Sequence, residues 1–251
     1  MGVSFASSMY LSVLIPAFNE QQRIEPTLER FVVFLDDSGM EYELLVADDG
    51  SSDDTAAVVE SFALQHNSVR LLRDERNLGK GASLRRAAAA SLGEYLVYSD
   101  ADLPVDPCHL PTLLERLAQG DADLVLVSRW MSGAPQVVGV PLARRMLSLL
   151  FRLVALPLKP PGVTDTQCGF KGFRGDVGRE LFAQLQIDGF AFDLELLCRA
   201  HRQGRRVTEL ALPVRHAVGS TIRPLSDSVT MARDVMLVFL RSMMGRYSHG
   251  S

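Results

Sequence analysis

The segment YLVYSDADLP, residues 95–104, decides how the chain is interpreted. It begins with an apolar and aromatic run typical of a buried strand, and it ends with two aspartates, Asp100 and Asp102, and then Pro104. Side chains two apart in an extended segment point the same way, so both carboxylates can reach one positive partner. A divalent cation prefers such oxygen ligands. The alternative is a simple turn, since aspartate and proline both favour turns.

Apolar runs and helical patterns alternate on both sides of this segment. Strand-like runs cover residues 10–16, 42–47, 69–72, 95–99 and 123–128, and helical patterns cover residues 20–35, 53–65, 79–92 and 106–119. Strands that alternate with helices at this spacing form right-handed crossovers in a mostly parallel sheet. The sequence therefore predicts an α/β fold with a mostly parallel central sheet flanked by helices.

Polar residues follow four of the predicted strands. They are Asn19-Glu20, Asp48-Asp49, Asp100 with Asp102, and Ser128-Arg129. In open parallel sheets a ligand binds beyond the carboxyl ends of the strands. Because the same arrangement recurs four times, we favour a metal and ligand site at this edge over an isolated turn.

Charge is unevenly placed along a chain of net charge −4. Residues 129–174 contain seven Arg or Lys and a single acid, Asp165, while residues 202–246 contain eight Arg and three acids. The first half is therefore acidic. A negative chain is not typical of a nucleic-acid binder, so we expect no nucleic-acid partner. An acidic half beside a basic half suits a metal site that faces an anionic ligand.

The remaining composition indicates one globular unit. A chain of 251 residues that is 47% hydrophobic can bury one large core. We expect a flexible N-terminus at 1–9, one domain at 10–225, and an amphipathic helix with a tail at 226–251. Three cysteines without paired spacing, an N-terminus without a signal-peptide pattern and the lack of a long apolar run predict a cytoplasmic protein with reduced thiols.

Seven segments occur in the order seen in a known family. They are IPAFNE (15–20), ADDGSSDDT (47–55), RNLGKGASLRRA (76–87), YSDADLP (98–104), SRW (128–130), DTQCGFKGF (165–173) and GFAFDLELL (189–197). Over roughly residues 10–235 the chain resembles the family 2 glycosyltransferases, which have the GT-A fold. Within that family it is most similar to the dolichyl- or polyprenyl-phosphate hexosyltransferases, especially the dolichyl-phosphate β-glucosyltransferase type.

The resemblance implies a site for a nucleotide sugar and a divalent cation. Residues expected at the nucleotide are Pro16, Ala17, Asn19, Glu20, Asp48, Asp49, Gly79 and Lys80. Among them, Asp49, with Asp48 as the alternative, is expected to hold the base or the ribose. Asp100 and Asp102 are expected to bind Mg²⁺ or Mn²⁺ between the diphosphate oxygens, where the ion neutralises charge on the leaving group.

The resemblance also implies roles for residues that contact phosphate and sugar. Arg129 is expected near phosphate, to which a guanidinium can donate two hydrogen bonds, although it is alternatively a surface arginine. Asp165 is expected near the reacting carbon of the sugar. Lys171 is expected to contact phosphate. In HAVGSTIRP (216–224) a lysine common in the family is replaced by Thr221, so Arg223 is expected to supply the positive charge.

Two acids, Asp193 and Glu195, begin a predicted helix in the segment GFAFDLELL. Family members carry an acid here near the sugar or the acceptor. Residues two apart do not share a helix face, so we expect one of the two to face the site. The alternative for Glu195 is a helix N-terminal acid stabilised by the helix dipole.

The acceptor is expected to be a polyprenyl or dolichyl phosphate. A phosphate monoester is largely dianionic at neutral pH, so it needs positioning and charge screening by Arg and Lys more than a base. A glycan or small hydroxyl acceptor, the alternative, would need a general base, for which Asp165 and Asp193 are candidates. The resemblance favours UDP-glucose as donor, with GDP-mannose second, and implies inversion at the anomeric carbon.

One predicted helix is a candidate for contact with a membrane. In residues 142–156 leucines share one side and arginines the other, which is typical of an interfacial helix and also of an ordinary surface helix. Residues 226–240 form a second amphipathic pattern. Many relatives continue into transmembrane segments, whereas this sequence contains no apolar run long enough to span a membrane. We therefore expect peripheral attachment at the cytoplasmic face of a membrane, directly or through a membrane-anchoring partner protein.

Two rival interpretations remain from other classes. A degenerate, non-catalytic nucleotide-sugar-binding protein would be free to lose its acids, whereas Asp49, Asp100, Asp102 and Asp165 are intact. A nucleotidyltransferase shares metal-binding acids but normally opens with a glycine-rich basic loop, which LSVLIPAFNE (11–20) is not.

Overall fold

The computed structural model describes residues 10–129, 158–215 and 226–247, with side chains from residue 230 onward in the last range. The strands in these ranges are β1 Leu11–Ala17, β2 Tyr42–Asp48, β3 Val69–Arg73, β4 Tyr95–Ser99, β5 Leu124–Val127, β6 Phe170–Arg174 and β7 Val207–Leu210. The helices are α1 Ile24–Ser38, α2 Thr55–Ala63, α3 Lys80–Ala90, α4 Leu110–Ala118, α5 Gly175–Ala183, α6 Phe192–Arg202 and α7 Ser226–Met243. A short 3₁₀ turn, Pro107–His109, precedes α4.

The seven strands form one sheet in the order β3-β2-β1-β4-β6-β5-β7. Strand β1 pairs in parallel with β2 and with β4, β2 pairs in parallel with β3, and β5 pairs in parallel with β7. Strand β6 lies antiparallel between β4 and β5. The predicted α/β fold with a mostly parallel sheet is thus confirmed, although β6 was not predicted.

The antiparallel direction of β6 determines which residues meet at the edge of the sheet. Ser99, at the carboxyl end of β4, pairs with Phe170, the first residue of β6. Residues just before β6 therefore lie at the same edge as residues just after β4. In this way the fold brings the DTQCGF segment beside the SDAD segment.

The core lies on both faces of the sheet, because successive strand side chains point to opposite sides. Val13 and Val97 pack on the face covered by α1, α2 and α4. Their neighbours Leu14 and Tyr98 pack on the other face, under α3, α5 and α6. Burial on both faces explains why these strands read as continuous apolar runs.

The C-terminal helix packs against α6 through a third apolar cluster. Val235 and Val238 of α7 contact Leu194 and Cys198 of α6, and Tyr247 closes the end of the cluster. None of the helices in the described ranges combines the length and hydropathy that a membrane span requires. The domain boundary at residue 225 stays a prediction.

Some predictions fall on residues outside the described ranges. They are the N-terminal segment 1–9, the helix at 142–156, and Arg223 in the segment before α7. The other predicted helices and strands are present, with ends that differ by a few residues.

Candidate active site

The loops after β1 and β2 are joined by hydrogen bonds. The backbone N–H of Asn19 donates to Ser51 Oγ at 2.9 Å, and the Asn19 side-chain oxygen accepts from the Ser52 N–H at 2.9 Å. Asn19 holds a left-handed backbone conformation, φ 55°, which asparagine tolerates better than most residues. Next to it, Glu20 forms an ion pair with Arg23 at 2.6 Å. The Pro16–Glu20 segment predicted to cradle the base is therefore fixed before any ligand arrives.

The two adjacent acids at the end of β2, Asp48 and Asp49, accept hydrogen bonds from nearby residues of the chain. Asp49 accepts from the N–H groups of Leu78 and Gly79, at 2.7 and 2.9 Å. Burial raises the pKa of Asp49, although these bonds oppose the shift. Asp48 is fully buried and accepts from both the N–H and the hydroxyl of Ser51. The contact of Asp49 with base or ribose stays a prediction; its observed contact is with the loop that leads into α3.

At the centre of the edge, Asp100 is held by two neighbours. Lys80 Nζ, at the start of α3, lies 2.6 Å from Asp100 Oδ1, and the Tyr98 hydroxyl donates to the same oxygen at 2.8 Å. Burial lowers the pKa of Lys80, but the carboxylates around it, Asp100 foremost, outweigh burial and raise it above its usual value. A Cβ at residue 169 would overlap the Asp100 carboxylate, which explains the glycine there.

Asp102 differs from Asp100 because one of its oxygens is unsatisfied. Oδ1 of Asp102 is buried and accepts no hydrogen bond from the part of the chain that the structure describes. Burial, and after it the charge of Asp100, raises the pKa of Asp102, while Lys80 and Arg23 oppose the shift. The pKa of Glu20 is also raised, first by burial and further by Asp102 and Asp100. Three carboxylates, those of Glu20, Asp100 and Asp102, therefore lie beside two cations, Lys80 and Arg23.

The unsatisfied oxygen of Asp102 indicates whether the residues at this edge fit a divalent cation. Carboxylate oxygens are the ligands that Mg²⁺ and Mn²⁺ prefer, and a buried carboxylate without a donor is costly until a cation arrives. Within the described ranges no three His, Cys, Asp or Glu side chains form a complete metal cage. Asp100 and Asp102 therefore fit a cation that takes its remaining ligands from a bound phosphate or water.

Asp193, the first-turn acid of α6, lies beside this group. Lys171 Nζ forms an ion pair with Asp193 Oδ1 at 2.8 Å and donates to the carbonyl of Cys168 at 2.6 Å. The ammonium groups of Lys80 and Lys171 lie 5.2 and 5.3 Å from the centroid of the Tyr98 ring. Burial raises the pKa of Asp193, against the effect of Lys171.

Lys171 does not have the role that was predicted for it. The residue is fully buried, and its ammonium is taken by Asp193, Cys168 and the Tyr98 ring, so it has no surface with which to contact a phosphate. It holds Asp193 in place instead. No sequence pattern indicates this role, because a lysine inside a strand is usually exposed.

Glu195 is likewise not at the site. Its Oε2 accepts from the N–H groups of Gln186 and Ile187, at 2.9 and 2.8 Å, and its Oε1 accepts from Nε and a terminal nitrogen of Arg199 at 3.0 and 2.9 Å. The residue is fully buried. The expectation that one acid of the pair faces the site points to Asp193, and the candidate catalytic role of Glu195 is corrected to a structural one.

Asp165 and Arg129 form a two-pronged ion pair. Nε of Arg129 donates to Asp165 Oδ2 at 2.7 Å, a terminal nitrogen donates to Oδ1 at 2.9 Å, and the Arg129 backbone N–H adds a third bond at 3.1 Å. Burial would raise the pKa of Asp165, but the Arg129 guanidinium outweighs it and holds the pKa below its usual value. Asp165 is thus a firmly ionised group that orients Arg129.

Glu209 of β7 was not among the predicted site residues. Its Oε1 accepts from the N–H groups of Thr164 and Asp165, both at 2.8 Å, and its Oε2 accepts from the Thr164 hydroxyl at 2.9 Å. Glu209 thereby fixes the backbone that presents Asp165 to Arg129. An acid on an edge strand gives no sequence signal for such a role, since it usually faces water.

Comparisons with known proteins agree with this geometry. Residues 12–182 match the family model described as glycosyl transferase family 2. The dolichyl-phosphate beta-glucosyltransferase of Dictyostelium discoideum is 32% identical over 249 residues, covering 95% of this chain and 76% of that protein. The human dolichyl-phosphate beta-glucosyltransferase is 29% identical over 253 residues, covering 94% of this chain and 77% of that protein.

Among solved structures, the chain is similar to glucosyl-3-phosphoglycerate synthase from Mycobacterium tuberculosis. A crystal structure of that enzyme in complex with Mn²⁺, UDP-glucose and phosphoglyceric acid aligns with a TM-score of 0.70 at 25% identity, covering 93% of this chain and 79% of that one. The sheet and the helices around it therefore have a solved counterpart.

Proposed function

The chain belongs to glycosyl transferase family 2, and from this premise we propose that it transfers glucose from UDP-glucose to a dolichyl or polyprenyl phosphate, with inversion, using a divalent cation. The unsatisfied Oδ1 of Asp102 beside Asp100 is the observation that carries the proposal. The names of the dolichyl-phosphate beta-glucosyltransferases support the sugar and the acceptor. GDP-mannose remains the second donor.

We propose that Asp100 and Asp102 hold the cation. When bound, Mg²⁺ or Mn²⁺ supplies positive charge to the diphosphate leaving group. Lys80 now neutralises Asp100, and it is a candidate to contact phosphate once a cation takes over that role. The Pro16–Glu20 segment and the loop held by Asp49 supply the walls for the nucleoside, and Tyr98 keeps Asp100 oriented.

The pairing of the acids supports a phosphate acceptor over a hydroxyl. Asp165 is a weak base, because Arg129 holds its pKa below the usual value. Asp193 is paired with Lys171 at 2.8 Å. An acceptor that is already dianionic needs no proton removed, so this arrangement suits it. Arg129, partly exposed and oriented by Asp165, is placed to screen the negative charge of such a group.

A second candidate is transfer to a small phosphorylated hydroxy acid. The similarity to a glucosyl-3-phosphoglycerate synthase favours it, since that enzyme was crystallised with UDP-glucose and phosphoglyceric acid. Both candidates use a glucosyl donor and an acceptor that carries phosphate. They differ in the acceptor atom, which is a phosphate oxygen in the first and a hydroxyl in the second.

The test has a binding step and a transfer step. Calorimetry with UDP, GDP and CDP, each with and without Mn²⁺, should give metal-dependent binding of UDP; preference for GDP would move the donor to GDP-mannose. Radiolabelled UDP-glucose is then offered with a short polyprenyl phosphate or with 3-phosphoglycerate. Label in the prenyl phosphate alone supports the first candidate, and label in phosphoglycerate alone supports the second. No nucleotide binding at all would mean that the proposal is wrong.

A further inference from the structure

The outward face of α7 and the residue after it carry large apolar side chains that are about half exposed or more. Met236 is 53% exposed, Leu240 48%, Met243 68% and Met244 60%. Met236, Leu240 and Met243 are separated by four and then three residues, which places them on one side of the helix, and Met244 directly follows its last residue. The opposite side of α7 is already buried against α6. We call these four residues the outer stripe. Contiguous exposed apolar residues of this kind mark an interaction surface.

The charges around the outer stripe are positive. Arg233 lies near one end, with 75% of its side chain exposed, and Arg246 is exposed beyond the other end. Asp234 is the single acid in residues 230–247, and only 10% of its side chain is exposed, against Arg233 at 3.9 Å. Within residues 230–247, an apolar stripe with arginines at its ends and no exposed acid matches the interface of an anionic bilayer.

We infer that the outer stripe lies in the headgroup region of an anionic lipid bilayer, with Arg233 and Arg246 against lipid phosphates. A second copy of the chain fits less well. A two-fold antiparallel pairing of α7 would bring Arg233 of one copy toward Arg246 of the other, which places like charges together.

The loop before α6 joins the buried side of α7, opposite the outer stripe, to the site. The carbonyl of Asp188 accepts from the Gly81 N–H at 2.7 Å, next to Lys80, and Ile187 packs in the cluster shared with α7. Between them and α6, Phe190 is 43% exposed. A lipid acceptor whose tail stays in the bilayer would have to reach the site along this loop, beside the exposed Phe190. This last step rests on the proposed lipid acceptor, whereas the bilayer contact itself does not.

Flotation with vesicles that contain no polyprenyl phosphate tests the inference. The wild-type protein should float with phosphatidylglycerol–phosphatidylcholine vesicles. The variant M236S/L240S/M243S should bind about tenfold more weakly or worse, because it loses apolar area at the interface. Arg233→Gln should weaken binding about fivefold on anionic vesicles and leave binding to phosphatidylcholine vesicles unchanged.

A matched control removes three apolar side chains elsewhere. V33S/L64S/L92S changes residues that are 62%, 86% and 71% exposed on other parts of the surface, and it should float like the wild type. Thermal melts of all variants should agree closely, since every substituted side chain is about half exposed or more. Equal flotation of the wild type and the outer-stripe variant would overturn the inference, as would a wild-type protein that does not bind anionic vesicles.

Two further results distinguish bilayer contact from self-association and from lipid-acceptor chemistry. A wild-type dimer that the outer-stripe variant converts to monomer, without vesicle binding by either, would assign the stripe to a second copy and overturn the bilayer contact. Glucose transfer to a short prenyl phosphate dissolved in water should be equal in wild type and variant. If vesicle binding behaves as expected but no polyprenyl phosphate is glucosylated, the proposed function fails while the bilayer contact stands.

Discussion

Asp102 and Asp165 lie at the same edge of the sheet, yet their surroundings differ in almost every respect. Asp165 accepts three hydrogen bonds from Arg129 and a fourth from the Gln167 N–H at 3.1 Å. Asp102 keeps a buried oxygen without a donor in the described ranges. The pKa of Asp165 is lowered by its partner, and the pKa of Asp102 is raised by burial and by Asp100.

The difference separates an acid that maintains structure from an acid that awaits a ligand. Folding leaves few buried polar groups without partners, because each costs free energy. An acid that retains this cost marks a place where something else supplies the missing partner. Glu20, Asp48 and Asp193 also have a buried oxygen without a hydrogen bond, but each of those oxygens forms an ion pair. We therefore propose Asp102 as the ligand-binding acid, with Asp165 and Glu195 as positioning acids.

The largest expected effect is on activity and comes from Asp102→Asn. Removing the charge removes a cation ligand, so glucosyl transfer should fall about a thousandfold, as expected when metal stabilisation of a leaving group is lost. The free energy of unfolding should stay within about 0.5 kcal/mol of wild type, because no donor is left unpaired. Mn²⁺ affinity should fall as well. Steady-state kinetics measures the transfer rate, Mn²⁺ titration the affinity, and urea denaturation the free energy of unfolding.

A matched control for this change is Asp176→Asn. Asp176 is exposed and pairs with Arg174 at 3.3 Å at the start of α5, so its loss should change neither activity nor Mn²⁺ affinity. Full activity of Asp102→Asn would contradict the contrast between Asp102 and Asp165, since Asp102 would then be an ordinary turn residue.

Glu195→Gln should act on stability rather than chemistry. Glu195 is fully buried and accepts four hydrogen bonds, two of them from Arg199, so a neutral amide leaves a buried guanidinium without its counter-charge. The unfolding free energy should fall by about 3 kcal/mol, as for a broken buried ion pair. Below the melting transition, kcat should remain near wild type. A large fall in kcat with unchanged stability would return Glu195 to the site.

Asp165→Asn should produce a smaller stability loss together with a loss of activity. Arg129 is partly exposed, so water offsets part of the broken ion pair, and a loss of about 2 kcal/mol is expected. Activity should fall because Arg129 is no longer held. Asp123→Asn is the control: Asp123 forms a similar two-pronged pair with Arg206, and its loss should lower stability alone. Equal activity in both variants would show that the Arg129 pair has no catalytic importance.

The smallest effect is a pH dependence. Because the folded-state pKa of Asp165 is lowered, its contribution to stability is present above the unfolded-state pKa and is lost as the pH falls through the folded value. The stability difference between wild type and Asp165→Asn should therefore be constant near neutrality and shrink below about pH 4. Denaturation curves across this range measure it. A difference that grows in acid would contradict the assigned direction.

Much of the fold followed from local patterns. Strands β1 to β4 and helices α1 to α3 were predicted correctly because strand and helix periodicities each involve neighbouring residues. The grouping of Asn19, Asp49 and Asp100 followed from the parallel sheet, since parallel strands end at one edge. Asp100 and Asp102 are two residues apart, so their proximity followed from the sequence without knowledge of tertiary contacts.

The missed strand, the overlooked Glu209 and the two corrected residue roles have one physical cause, which is pairing between residues far apart in the sequence. Strand β6 was missed because its neighbours are about 70 residues before it and about 45 residues before it, and because Lys171 interrupts its apolar pattern. The buried roles of Lys171 and Glu195 depend on partners that no spacing rule reveals. Glu209 was overlooked because its partners lie in a loop some 45 residues away.

The insertion of β6 between β4 and β5 also has a consequence for how the protein is made. During synthesis, β1, β2, β3 and β4 can associate as soon as residue 99 has left the ribosome, but β5 has no direct partner among them until β6 arrives. Pairings of such long sequence separation form late and slowly. The backbone N–H of Asp100 bonds to the Gly169 carbonyl at 2.9 Å, so the acids after β4 reach their final setting only then. A nascent chain that ends before residue 170 should therefore hold a folded half-sheet without a working cation site.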